Sequence, residues 1–196
     1  MRKIIPSNAR LVPKEAKRVF KGEIFDVYQW RQQMFDGSFE TFEMLKRPDT
    51  IKVIAVKDYK IVVLNQKQPD SEQFFFDLPG GRHDYDNESE LDAAKRETRE
   101  ETGMSFKDWR LVNVSQPHGK IDWFVYIFLA TGFESQQAQQ LDAGEKIKVE
   151  LKSFEELKEL VSYEHARFLP AEIINSCETL EDVLSLAEYK TGATLK

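Results

Sequence analysis

Three glutamates gather around an arginine in the run Arg96-Glu97-Thr98-Arg99-Glu100-Glu101. On a helix, Glu97 and Glu101 stack on one face, and Glu100 lies beside them, one turn from Glu97. Like charges at this spacing repel by about 0.2–0.5 kcal/mol per pair, and a bound cation relieves that cost. Carboxylates without nearby Cys or His ligands suit a hard ion such as Mg²⁺, with Mn²⁺ as an alternative. Such ions keep waters and also grip phosphate oxygens. The bland reading is a solvated charged face: Arg96 and Glu100 are spaced for an ion pair, and Lys95 and Arg99 add counter-charge. The surroundings tell the two apart. A Gly80-Gly81 turn, an acidic loop and Gly103 stand at set distances around the glutamates.

These residues need a helix and a sharp turn to position them. Ser89–Thr102 reads as the helix, with Asn87 or Ser89 as cap, acidic residues in its first turn and Gly103 as its stop. Phe74–Phe76 leads into Leu78-Pro79-Gly80-Gly81, where the chain must change direction. Upstream, residues 17–46 read as strand, turn and strand about Asp36-Gly37, and Pro48-Asp49 breaks the pattern. Ile51–Val56 and Ile61–Leu64 form a hairpin through Lys57–Lys60. Downstream, Trp109–Val114, Asp122–Ala130 and Ile147–Leu151 read as strands, and the polar run Glu134–Gln140 as a loop. Ser153 and Glu156 predict a capping box that opens a helix to about Val161. Thr179 starts another to about Ala187, and Pro170–Cys177 is a further helix candidate. The layout is mixed α/β (α+β).

Composition narrows the class. The chain has 196 residues, 41% hydrophobic and 32% charged, which suits one globular domain with a small appendage. Its net charge of −6 argues against a nucleic-acid partner, which calls for a basic face. The opening residues lack the apolar run of a secretory signal, and no stretch approaches a membrane span. A single cysteine, Cys177, excludes an internal disulfide and fits a reducing, cytoplasmic setting.

The segment GGRHDYDNESELDAAKRETREETGM, from Gly80 to Met104, resembles the signature of the Nudix hydrolase family. Gly81, Glu88, Arg96-Glu97, Glu100-Glu101, Gly103 and Met104 match it. There are two departures: six residues rather than five separate Gly81 from Glu88, and Thr98 stands where an aliphatic residue is usual. Loop length is cheap, and neither change removes a ligand. The resemblance implies an α/β/α sandwich with a mixed sheet. It also implies metal ligands at Glu97, Glu101 and Glu100, with the Gly80 carbonyl, and Mg²⁺ as cofactor. Arg96 and Glu88 would hold the ligands in place rather than react.

The flanks resemble the ADP-ribose pyrophosphatase branch. They imply an N-terminal β-rich segment, residues 1–46, that joins two copies into a homodimer, and a Nudix domain, residues 47–196. Phe20, Phe25, Tyr28, Trp30, Phe35, Phe39 and Phe42 fit such an interface. Asp77 replaces the commoner Glu of the acidic-Leu-Pro turn, and Gln68 replaces an arginine expected to bind phosphate. Arg47 and Gln68 are the substrate-binding candidates. LDAGEKIKVELKSFEELKEL resembles the element that carries a catalytic glutamate, here Glu145, with Asp142 as substitute; an ordinary loop glutamate is the competing reading. Glu100 is a second catalytic candidate. His83 and His118 read as loop histidines. The implied reaction is Mg²⁺-dependent cleavage of a nucleoside diphosphate sugar, ADP-ribose giving AMP and ribose 5-phosphate. The alternatives are another nucleotide sugar, such as GDP-mannose, or a non-catalytic sensor of such ligands.

Overall fold

The chain begins its regular structure with polar strands and only later builds a core. In the computed structural model, which describes residues 4–85, 87–162 and 169–190, β1 (Lys17–Lys21), β2 (Asp26–Gln33) and β3 (Phe39–Lys46) form an antiparallel meander. Three strands thus occupy the span expected to hold two. The extra turn forms where Gly22 N–H bonds the Phe25 carbonyl. The β2–β3 turn uses Gly37 at φ 87, a conformation glycine adopts freely.

β4 (Asp49–Lys57) and β5 (Lys60–Lys67) are the expected hairpin, turned by Asp58 and Tyr59, both at positive φ. β6 (Phe75–Asp77) pairs with β5, and β7 (Arg82–His83) pairs with the start of β4. Helix α1 spans Glu90–Thr102. The strand expected at Trp109–Val114 is longer, with β8 running Met104–Ser115. The strand expected at Asp122–Ala130 divides into β9 (Ile121–Asp122) and β10 (Val125–Gln136). Glu134–Gln136 therefore belongs to a strand, because Ser135 and Gln136 pair with Ser105 and Met104 of β8. Polar side chains do not prevent a ladder whose bonds are all backbone. β11 (Lys146–Lys152) precedes α2 (Phe154–Val161), which carries the predicted capping box. α3 (Ala171–Ser176) and α4 (Leu180–Leu184) follow, the latter shorter than expected.

The large sheet runs β11-β5-β4-β10-β8, and β4 and β10 are parallel at its centre. Alternation along these two strands separates two cores. Ile51, Val53, Ala55, Tyr126 and Phe128 pack with Ala93 and Ala94 of α1. Ile54, Val56, Ile127 and Leu129 face α2, α3 and α4. Helices thus cover both faces, which makes an α/β/α sandwich. β9 joins β3 in parallel, so the N-terminal meander shares a sheet with the core's own chain. Residues 4–12 also lie on the core: Tyr126 Oη donates to the Ile4 carbonyl at 2.7 Å, and Val12 N–H donates to Asp122 at 3.1 Å.

Candidate active site

Local capping chemistry sets the position of α1. Ser89 caps its N-terminus and accepts from Asp92 N–H, while Gly103 ends it in the left-handed region at φ 72. Thr98 is fully buried, and its hydroxyl donates to the Ala94 carbonyl at 2.8 Å. That bond satisfies the one polar atom by which it departs from an aliphatic residue.

The Pro79–Gly81 turn lies along β4. Val53 N–H donates to the Pro79 carbonyl at 2.8 Å and Ile51 N–H to that of Gly81 at 2.9 Å. Gly80 sits at φ 144, and a Cβ there would strike the Ile51 carbonyl. Its N–H donates to Glu101 Oε2 at 2.7 Å, which fastens the turn to the helix. A Cβ on Gly81 would meet the carboxylate of Glu97. Gly80 is therefore needed for the turn to lie against β4, while a side chain at Gly81 would displace the Glu97 carboxylate.

Arg96 is the hub of the remaining charges. Nε and Nη2 grip Glu88 at 2.8 and 3.1 Å, while Nη1 reaches Glu97 at 2.7 Å and Glu100 at 3.1 Å. Nη2 also donates to the Arg82 carbonyl at 3.3 Å, and the Tyr85 ring lies 4.6 Å from the guanidinium. Burial lowers the Arg96 pKa, but Glu88 and Glu97 outweigh it and hold the guanidinium firmly charged. Burial raises Glu97; Arg96 opposes the rise, while repulsion from Glu100 and Glu145 adds to it. Burial raises Glu101 well above the ordinary carboxylate range; the Gly80 N–H and Lys52 oppose this, and Glu97 and Asp77 reinforce it. Glu145 is raised by burial and by repulsion from Asp142 and Glu100, against the pull of the Asp142 N–H. The loop before β11 thus sets Glu145 within electrostatic reach of Glu97 and Glu100.

Among the described residues no three His, Cys, Asp or Glu side chains converge as a ready metal cage. Glu97 and Glu100 are drawn to Arg96, and Glu101 to Gly80. The donor set nonetheless fits a hard divalent cation. It is carboxylate oxygen on one helix face, and burial disfavours the negative charge of Glu97 and Glu101.

The other candidates stand around this centre. Arg47 follows β3; its guanidinium lies 4.7 Å from the Trp123 ring and 5.5 Å from Phe25. Burial and repulsion from Arg82 lower its pKa, against the pull of Asp49. Gln68 is exposed beyond β5, next to Pro69, which packs near Gly144. His83 Nε2 is bonded to the Glu88 carbonyl at 2.9 Å, and His118 Nδ1 accepts from Lys120 N–H at 3.2 Å. Sequence reasoning passed over Lys52, which is buried and pairs with Asp77 at 2.5 Å. The signal was a lysine inside the apolar run of β4. Asp77 also accepts from Leu78 N–H at 2.7 Å, so this ion pair braces the entrance to the glycine turn.

A short helix with clustered carboxylates, clamped beneath a glycine turn on a mixed α/β/α sandwich, defines a class. Residues 46–171 match the NUDIX domain, and the chain belongs to that family. It is an enzyme of the pyrophosphohydrolase type. An ADP-ribose pyrophosphatase of Bacillus subtilis (strain 168) is 28% identical over 149 residues, covering 74% of this chain and 80% of that protein. A solved structure described as an ADP compounds hydrolase superposes with a TM-score of 0.65 at 17% identity, over 87% of this chain and 95% of the other, a likeness of fold. No helix among the described residues is long and apolar enough to cross a membrane.

Proposed function

We propose that the chain hydrolyses the diphosphate linkage of a nucleoside diphosphate sugar, with ADP-ribose the first choice, releasing AMP and ribose 5-phosphate. The observation that carries this reading is the set of α1 carboxylates held against the glycine turn through the Gly80 N–H, with the loop that leads to Glu145 tied to the end of the same helix. In this reading Glu97, Glu100 and Glu101, with the Gly80 carbonyl, hold Mg²⁺, and Mn²⁺ serves in its place. When bound, the ion neutralises diphosphate oxygens and acidifies the attacking water.

Glu145 takes the proton from that water. Glu145 is presented from a turn that the Asp142 N–H closes on its carboxylate. Arg96 holds Glu88, Glu97 and Glu100 in place and does not touch the reacting atoms. Arg47, packed on Trp123 and Phe25, is the guanidinium assigned to the nucleotide. Gln68, next to Pro69 and so near Gly144 of the Glu145 loop, is the second substrate-binding candidate. The ADP-ribose choice is supported by the Bacillus subtilis relative. The proposal includes a homodimer built through residues 17–46, a cytoplasmic setting and no nucleic-acid or membrane partner.

The test is a panel of ADP-ribose, GDP-mannose and other nucleoside diphosphate sugars, each with Mg²⁺, Mn²⁺ or EDTA. Products are resolved by chromatography. AMP with ribose 5-phosphate, formed with metal and abolished by EDTA, is expected from ADP-ribose. Faster turnover of GDP-mannose would reassign the substrate. Tight binding of ADP-ribose without any product under all metals would make the protein a sensor and overturn the reading.

A further inference from the structure

Helix α1 ends against the loop that leads to Glu145, and three contacts join them. Gln137 N–H donates to the Gly103 carbonyl and Gln140 N–H to the Glu100 carbonyl, each at 2.8 Å. Between them the side-chain amide of Gln139 donates to the Glu101 carbonyl at 2.5 Å and reaches the Ile147 carbonyl at 3.4 Å. The last carbonyls of a helix lack partners within it, so outside donors are needed here. Two of these donors are backbone and exist whatever the side chain. The third depends on the residue type. An amide nitrogen carries two hydrogens, enough for both carbonyls.

The acceptors mark the two sides of the Glu145 turn. One belongs to Glu101, whose carboxylate bonds Gly80; the other belongs to Ile147 at the start of β11. The turn between them is closed on itself. Asp142 N–H donates to Glu145 Oε2 at 3.0 Å, and Glu145 N–H donates to the Asp142 carbonyl at 3.0 Å. A turn closed in this way moves as a unit, and Gln139 ties its base to the helix on one side and the strand on the other.

We propose that Gln139 is a positioning residue whose amide, shared between the Glu101 and Ile147 carbonyls, holds the Glu145 turn in register with the carboxylates of α1. The assignment rests on Glu145 acting as the base, as proposed above. Gln139 is solvent-exposed, so replacing it opens no cavity and strands no buried charge. Gln139→Ala removes the donor. Gln139→Glu keeps the size but points a carboxylate at two carbonyl oxygens.

Both variants are measured with ADP-ribose and Mg²⁺ at saturating substrate, alone and combined with Glu145→Gln. Each single variant is expected to lose about 10–100-fold in kcat, the scale of a misplacement near 1 Å, with KM changed by less than about threefold. In the Glu145→Gln background the same changes alter kcat by less than about twofold, because no base is left to place. A readout independent of turnover is amide hydrogen exchange. It quickens across residues 140–147 in Gln139→Ala and stays unchanged in the middle of α1. Equal losses in both backgrounds, or unchanged exchange, overturn the positioning role alone. Full kcat in Glu145→Gln by itself removes the base reading, and the proposal falls with it.

Discussion

At the residue scale, the candidate centre concentrates charge that burial disfavours. Glu101 illustrates the consequence. Its carboxyl is held above its unfolded value, chiefly by burial, so the folded protein binds that proton more tightly than the unfolded chain. The stability this confers is present at acid pH and is lost as pH rises from the unfolded value through the folded one. Glu101→Gln keeps an oxygen for the Gly80 N–H and removes the charge. In EDTA at neutral pH its thermal midpoint is expected to rise by about 2–4 °C for each kcal/mol relieved, and its advantage over wild type to shrink as pH falls. The same variant should lose turnover by orders of magnitude and gain no stability from added Mg²⁺. Near-normal turnover, or a lowered midpoint in EDTA, counts against the assignment. Arg96→Ala has the opposite sign. It leaves Glu88, Glu97 and Glu100 without their shared cation, so the midpoint in EDTA is expected to fall by several degrees. Mg²⁺ restores part of the loss, since it meets the same carboxylates. No recovery with Mg²⁺ in a calorimetric scan would show that those carboxylates do not bind the ion.

At the scale of elements, α1 and the glycine turn depend on backbone geometry more than on charge. Gly80 combines φ 144 with a would-be Cβ against the Ile51 carbonyl, whereas Gly37, at φ 87, has open space around it. Gly80→Ala is therefore expected to cost more than the roughly 1–3 kcal/mol of backbone strain, and Gly37→Ala no more than that range. Chemical denaturation of the two variants measures the difference, and equal losses would mean the close approach at Gly80 contributes nothing. Thr98→Val tests the departure from an aliphatic residue. The Thr98 hydroxyl bonds a carbonyl that already serves the helix, so removing it orphans no group. The variant should keep kcat within about twofold and change stability by less than about 1 kcal/mol. A larger loss would give that hydroxyl a role beyond satisfying itself.

At the scale of the whole molecule, the two sheets differ in what they cover. The large sheet is buried on both faces by helices. The N-terminal meander leaves β1 exposed along its length, with Val19, Phe20, Ile24, Phe25, Phe35 and Phe39 open to solvent. Apolar side chains gathered on one small sheet suit a partner surface. Light scattering at micromolar concentration is expected to give twice the chain mass, and Phe20→Asp to shift the protein towards monomer. A wild-type monomer removes the homodimer. If Arg47, which packs on Phe25, binds substrate as proposed, loss of assembly should raise KM more than it lowers kcat.

The sequence by itself determined the features whose causes lie within a few residues. Ser89 and Gly103 bound α1, Ser153 with Glu156 opens α2, and Ile51–Leu64 turns as a hairpin, because capping and turn chemistry act over three or four positions. The acid spacing of Glu97, Glu100 and Glu101 was legible for the same reason. The tertiary structure decided what depends on distant partners. β10 extends to Gln136 because β8 supplies its ladder, and the polar residues there carry no sign of it. The apolar run of β4 marks Lys52 as buried, but its partner Asp77 comes from β6, which no local pattern names. Arg96 divides itself among three glutamates only once the loop bearing Glu88 folds back over α1. The Glu145 loop meets the end of α1 because β11 pairs with β5 and Gln137 and Gln140 bond the helix's last carbonyls. Such placements come from long-range pairing of backbone groups, and the spacing of residues along the chain does not record them.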